Sequence, residues 1–229
     1  MNVAVILAGG CGKRSGSKIP KQFILFHDKP LIYYTLKQFD DCPDIDTIII
    51  PCLRNWKKYL RSQIDLNGIK KECLICDGGK TGLESAYKAF IYGGGGDSEN
   101  SENVYLFHDA CRPFVESDTI SNVAKIAKNK GNAVATVQLL ETLVVSPDGL
   151  SSSQYIPRKN LQRVMTPQAF REDTLRTLLS SEDEILASEE PSLFSFFMSK
   201  GGGVFCVQSN EKNFKITFPQ DIDLFRSLA

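Results

Sequence analysis

Asn2–Leu7 (NVAVIL) runs straight into Ala8-Gly9-Gly10-Cys11-Gly12-Lys13-Arg14-Ser15-Gly16-Ser17-Lys18-Ile19-Pro20-Lys21-Gln22-Phe23. The first six residues read as a short apolar strand and the glycines after it as a turn. Similar runs recur at Thr47–Cys52 (TIIIPC), Glu72–Cys76 (ECLIC), Val104–Phe107 (VYLF) and Ala133–Val137 (AVATV). Stretches of helical length lie between them, at about 30–39, 54–65, 83–92 and 117–129. Strands alternating with helices at this spacing predict an α/β fold. Its sheet should be mostly parallel, with helices on both faces and right-handed crossovers.

The alternation breaks down at about 139–165. Glu141–Ser146 suggests a strand, Pro147-Asp148-Gly149 a turn and Ser151–Ile156 a return strand, together a β-arm projecting from the sheet. Two further strands are expected at Gly203–Val207 and Phe214–Thr217, followed by a helix from near Pro219. Gly93–Asn100 reads as a surface loop inserted between strands that need one another. The whole chain, 1–229, is thus expected to be one domain carrying the arm.

Composition narrows the function classes. Lys plus Arg number 27 and Asp plus Glu also 27, so there is no bulk basic field. Neither a nucleic acid nor a membrane surface is an expected partner. The apolar run at Met1–Leu7 is too short for a signal peptide or a membrane span. Seven cysteines, an odd number, then suggest reduced thiols and a cytoplasmic protein. Cys73 and Cys76 form a C-x-x-C without a second pair at zinc spacing, so ordinary thiols are expected there.

The opening turn carries the strongest chemical signal. Glycines let backbone N–H groups approach phosphates closely, and Lys13, Arg14, Lys18 and Lys21 add four cations within nine residues. A triphosphate calls for that pattern. The dinucleotide fingerprint fails because Ser15 stands at its last glycine, and a P-loop fails because Leu74 stands at its first. A second signal is His108-Asp109-Ala110-Cys111-Arg112-Pro113-Phe114, directly after a strand. Asp109 there is placed to meet a magnesium ion over the crevice, and Arg112 to pair with it or to reach phosphates. His108 reads as packing or support, since no serine elbow accompanies it. A third is Asp77-Gly78-Gly79-Lys80-Thr81-Gly82-Leu83-Glu84-Ser85, where main-chain groups and the Ser85 hydroxyl suit a nucleobase. In Asn213-Phe214-Lys215-Ile216-Thr217, alternation puts Asn213, Lys215 and Thr217 on one face.

In this order, the segments resemble the family of 2-C-methyl-D-erythritol 4-phosphate and ribitol-5-phosphate cytidylyltransferases. The resemblance rests on A-G-G-x-G-x-R…P-K-Q, H-D-x-x-R-P-F, T-P-Q-x-F and N-x-K-I-T, and it spans residue 3 to about 225. It implies a Rossmann-like nucleotidyltransferase fold whose β-arm is exchanged in a homodimer. It also implies a CTP pocket at Leu7, Ala8, Gly9, Gly10, Gly12, Gly78, Gly79, Lys80, Ser85 and Arg112. Arg14 and Lys21 resemble the pair acting at the α-phosphate, and Asp109 the Mg²⁺ carboxylate. Thr142, Arg158 and Lys215 resemble the residues that hold the acceptor phosphate.

Two places depart from the family pattern. The arginine of G-G-x-x-R-x-x-S is Gly82 here, and T-D-E-A-S reads Ser188-Glu189-Glu190-Pro191-Ser192. The Leu-Ala-Gly-Gly opening and the Thr-Gly-x-Glu-Ser run look more like the cell-surface polyol branch than the isoprenoid branch. Gln168, Ser188, Glu189, Glu190 and Ser192 are polar candidates on the acceptor side, which suits ribitol 5-phosphate over methylerythritol phosphate. A nucleotide-sugar transferase and a non-catalytic nucleotide-binding protein are the rival readings. The Thr-Pro-Gln-x-Phe run and the arm count against the first, and the Arg14, Lys21, Asp109 set against the second.

Overall fold

The computed structural model describes residues 1–10, 19–96 and 102–228. β1 (Asn2–Leu7) is followed by a 3-10 turn at Lys21–Phe23, a short ribbon of β2 (Leu25–Phe26) and β3 (Lys29–Pro30), and α1 (Leu31–Asp41). Next come β4 (Thr47–Cys52), α2 (Lys57–Leu66), β5 (Cys73–Asp77), α3 (Gly82–Tyr92), β6 (Val104–Asp109), α4 (Ser117–Lys130) and β7 (Asn132–Gln138). The arm is β8 (Leu143–Val145) and β9 (Gln154–Ile156). β10 (Gln162–Arg171), α5 (Glu172–Leu178), α6 (Glu182–Ala187), α7 (Leu193–Ser199), β11 (Cys206–Gln208) and α8 (Pro219–Leu228) complete the order.

Seven strands form the main sheet in the order β11-β7-β10-β6-β1-β4-β5. β10 runs antiparallel to both of its neighbours, and every other pairing is parallel. The strands are apolar throughout because both faces are covered. In β1, Ala4 and Ile6 join the core under α1, α2 and α4, while Val3 and Val5 join the one that contains residues of α3, α5, α6 and α7. Cys73 and Cys76 fall into opposite cores. Burial pushes both thiols up to about 11, so they are inert packing groups, as expected.

Three elements differ from the sequence reading. β10 is a ten-residue interior strand, yet its VMTPQAF stretch carries polar residues and a proline and so lacks a strand pattern. Pro167 falls in a register shift between Val164 and Gln168, the kind of irregularity that tolerates a residue without an N–H. The arm therefore ends before Gln162, not at about 165. Phe214–Thr217 is not a strand; the Ile216 N–H bonds the Cys111 carbonyl at 2.9 Å without continuing into a ladder. Residues 97–101, within and beside the expected Gly93–Asn100 loop, lie outside the described residues.

The topology places the crevice. From β1 the chain builds β4 and β5 to one side, then returns to set β6 against the other side of β1. Ligands in such sheets bind outside the carboxyl ends of the strands where that direction reverses. Here those ends are Leu7 and Asp109, which are register partners.

Candidate active site

Two glycine turns meet at this point. Ala8 bridges to Cys52 on β4 and donates its N–H to the Pro51 carbonyl at 3.0 Å, which directs Gly9 and Gly10 out of the sheet. Gly78, just past β5, donates to the Cys52 carbonyl at 2.8 Å. A Cβ on Gly78 would lie 3.2 Å from the Gly9 Cα, so the two turns pack backbone to backbone, closely enough that a side chain there would push them a few tenths of an ångström apart.

The start of α3 holds the second turn in shape. Thr81 caps the helix by accepting from the Glu84 N–H at 3.1 Å, and Glu84 accepts from the Lys80 N–H at 2.6 Å. A bond to the Lys88 ammonium and that backbone bond hold the Glu84 carboxyl below its ordinary range. Ser85 accepts from the Gly79 N–H at 2.9 Å and donates to the Thr81 carbonyl at 2.8 Å. Its hydroxyl thus supports the turn. Gly82 donates to the Pro191 carbonyl at 3.1 Å, and a Cβ there would stand 2.7 Å from that oxygen. The two departures from the family pattern therefore touch each other: Pro191 lies where a side chain at position 82 would begin.

Asp109 sits in an ion-pair network. Its carboxylate accepts from Arg112 Nε at 2.9 Å and from Lys215 Nζ at 2.8 Å. Burial alone would raise its pKa, but the Lys215 and Arg112 charges outweigh that and hold it well below the usual carboxylate range. Behind it, the Asp109 N–H donates to Thr166 Oγ1 at 3.2 Å, and Thr166 Oγ1 lies 3.0 Å from His108 Nδ1. His108 Nε2 lies 3.1 Å from the Arg112 carbonyl, so Nε2 carries the proton and Nδ1 accepts. Burial lowers the His108 pKa to about 4, which keeps the ring neutral and supportive, as the sequence suggested.

A third core brings the C-terminal segment to this network. Ile216 and Phe225 pack with Phe26, Leu31 and Cys111, with Phe225 set edge-on to Phe26 and Tyr34. That packing delivers Lys215 to Asp109. Asn213 does not share the face of Lys215 and Thr217: it is buried and donates to the Thr166 carbonyl at 2.7 Å. Without a strand at 213–217, alternation does not hold.

Leu7, Gly9, Gly10, Lys21, Gly79, Lys80, Ser85, Asp109 and Lys215 line one cleft of about 530 Å³. Ala8 and Gly78 stand behind its wall as backbone supports, and Arg112 takes up its pairing role with Asp109 and the Asn213 carbonyl. Gly12 and Arg14 lie outside the described residues. Thr142 and Arg158 are exposed on the arm and do not line the cleft, and Arg158 bonds the Leu140 carbonyl. Of the polar acceptor-side candidates, only Ser192 lines it, and its hydroxyl caps α7.

The family model described as 2-C-methyl-D-erythritol 4-phosphate cytidylyltransferase (IspD) matches residues 2–227. The chain belongs to this cytidylyltransferase family. It is 31% identical over 99% of its length to a ribitol-5-phosphate cytidylyltransferase of Lacticaseibacillus paracasei, covering 97% of that protein. It is 35% identical over its full length to a 2-C-methyl-D-erythritol 4-phosphate cytidylyltransferase of Thermotoga neapolitana, covering 97% of it. Among solved structures, 4-diphosphocytidyl-2C-methyl-D-erythritol synthase of Anaerococcus prevotii superposes with a TM-score of 0.81 at 19% identity. That match covers 100% of this chain and 95% of the other, and it bears on the fold.

As a cytidylyltransferase, the chain holds site residues that the sequence reading missed. Gln22, Cys111, Pro191 and Thr217 also line the cleft, and Thr166 and Asn213 brace Asp109 and His108 from behind. Thr166 was signalled only as a letter of T-P-Q-x-F, and Asn213 as a letter of N-x-K-I-T and through an alternation that the structure does not keep. Cys111 had no signal, because a buried thiol beside Asp109 looks like any core cysteine.

Proposed function

We propose that this cytidylyltransferase transfers the CMP unit of CTP to the phosphate of a polyol, with ribitol 5-phosphate as acceptor, and releases pyrophosphate. An oxygen of the acceptor phosphate attacks the α-phosphorus of CTP, and the bond to the departing pyrophosphate breaks as the new bond forms. The acceptor phosphate is largely dianionic near neutral pH, so no protein base is needed. Positioning and electrostatics carry the rate. The observation that supports this reading is the convergence of two glycine turns, Lys21, Asp109 and Lys215 in one cleft of about 530 Å³.

In this reading the Gly9–Gly10 and Gly79–Lys80 backbones cradle CTP, with Lys21 and Arg14 balancing charge that builds at the α-phosphate. Among the described residues no cluster of three or more His, Cys, Asp or Glu side chains could cage an ion. Asp109, kept ionised, fits the mode Mg²⁺ prefers, one carboxylate completed by phosphate oxygens and water. Bound there, Mg²⁺ would neutralise phosphate charge. Lys215 would then turn from Asp109 to the acceptor phosphate.

The arm supports a homodimer. Leu150 is 92% exposed, Tyr155 68% and Val144 59%, and an apolar two-stranded hairpin calls for a cover. Thr142 and Arg158, away from their own cleft, would hold the acceptor phosphate in that of a second copy. Among the described residues no helix is long and apolar enough to cross a membrane. The free buried thiols Cys42, Cys52, Cys73, Cys76 and Cys111 suit the reducing cytoplasm.

The Thermotoga relative carries the second reading, methylerythritol phosphate as acceptor. Direct competition of the two phosphates with CTP decides between them. A preference in kcat/KM for ribitol 5-phosphate is expected, a tenfold preference for the other would reverse the acceptor, and pyrophosphate release with neither would sink the enzyme reading.

A further inference from the structure

We infer that Gln22 is a positioning residue for cytidylyl transfer, an amide clasp that holds the first glycine turn and Lys21 as one unit. The inference rests on the function proposed above. Gln22 is 2% exposed, and its Nε2 donates to the Ala8 carbonyl and to the Gly10 carbonyl, both at 2.8 Å. These oxygens belong to the turn leaving β1. Because a trans peptide sets its N–H opposite its C=O, an Ala8 carbonyl turned toward Gln22 turns the Gly9 N–H away from it.

Gln22 is also the middle residue of the 3-10 turn Lys21–Phe23, so Lys21 is its immediate neighbour. Phe23 anchors that turn, stacked on Trp56 with centroids 4.6 Å apart and 6° between planes, and edge-on to Tyr59. Lys21 Nζ reaches the Ile216 carbonyl at 2.8 Å, next to Lys215. One buried side chain therefore fixes the spacing between the backbone proposed for the phosphates and the ammonium proposed for the α-phosphate. A displacement of about 1 Å in such a constellation costs on the order of 100-fold in rate.

The test is Gln22→Met, which keeps length and apolar bulk but loses both donors, beside Gln22→Glu. Q22M is expected to lower kcat about 100-fold while leaving KM for CTP nearly unchanged. At pH 8 the ionised carboxylate of Q22E faces two carbonyl oxygens, and that variant should be as poor. A buried carboxyl among acceptors protonates readily, and its O–H can then donate one of the two lost bonds. The kcat of Q22E relative to wild type should therefore rise as pH falls to about 6. A residue that served stability alone would show a lowered melting temperature, wild-type kcat per folded molecule and no recovery at low pH, and that result overturns the clasp. So does normal release by wild type and Q22M alike. Failure of the wild type to release pyrophosphate from CTP would instead overturn the function on which the clasp depends.

Discussion

At Asp109, two roles expected to be separate are joined by contact. The carboxylate expected to meet the metal and the lysine expected at the acceptor phosphate bond each other at 2.8 Å. An ammonium on Oδ1 competes with any cation for that oxygen, so Lys215→Gln should tighten Mn²⁺ binding to the CTP-free protein. The Lys215 side chain is 37% exposed, so solvent screens part of the effect and a gain of roughly three- to tenfold is expected. Paramagnetic resonance of the free ion measures it, and unchanged or weaker binding would argue against Asp109 as the metal ligand. His108 makes a second prediction at this scale. Its folded pKa of about 4 lies below the ordinary 6.5, so as pH falls the unfolded chain takes the proton first. Stability is therefore intact above pH 6.5 and is lost between 6.5 and 4, by about 3 kcal/mol in full. Urea unfolding at pH 7 and at 4.5 reads this, and His108→Gln should flatten the slope over that window.

Among the elements, the arm takes little support from the rest of its own chain. β8 and β9 pair from Leu143–Ile156 to Val145–Gln154, and all six of their residues are exposed. Asp148 stiffens the tip by accepting from the Leu150 and Ser151 N–H groups at 2.9 and 3.0 Å. Val144 and Tyr155 are register partners, so one change to each alters the arm at a single level. The double variant Val144→Asp, Tyr155→Asp should sediment as a monomer with an unchanged melting transition. It should also raise KM for the acceptor more than for CTP, because Thr142 and Arg158 ride on the same arm. A wild-type protein that is itself monomeric would sink the dimer proposal.

Taken whole, the molecule builds its cleft from four segments far apart in sequence that meet only in the fold: the turn after β1, the turn after β5, the end of β6 and the strap at 213–217. A ligand touching all four should raise the cost of opening any one. CTP with Mg²⁺ at 100 times its Kd should stabilise the fold by about 2.7 kcal/mol. For a chain of this length that corresponds to about 5–10 °C in Tm. Calorimetry with UTP and ATP as controls checks it, and an equal shift from all three would mean that only phosphate is recognised.

The local chemistry of the sequence determined the mostly parallel sheet, five of the helices (α1, α2, α3, α4 and α8) and the two glycine turns. Apolar runs covered on both faces and glycines at close backbone approaches leave a mark in consecutive residues. Asp109 at the end of β6 and Lys21 in the first turn were legible for the same reason. β10 was not, because an interior strand interrupted by Thr166, Pro167 and Gln168 shows no strand period, although it sets the position of β7 and braces His108. Nor could consecutive residues show that Lys215 would lie on Asp109, 106 positions away, or that Gln22 would reach back to Ala8 and Gly10. Tertiary structure decided those contacts. The first depends on Ile216 and Phe225 packing with Phe26, Leu31 and Cys111, and the second on Phe23 stacking against Trp56. In both, a polar side chain is placed by the adjacent apolar residue, Ile216 or Phe23, whose packing partners Phe26, Leu31 and Cys111 or Trp56 lie far from it in sequence.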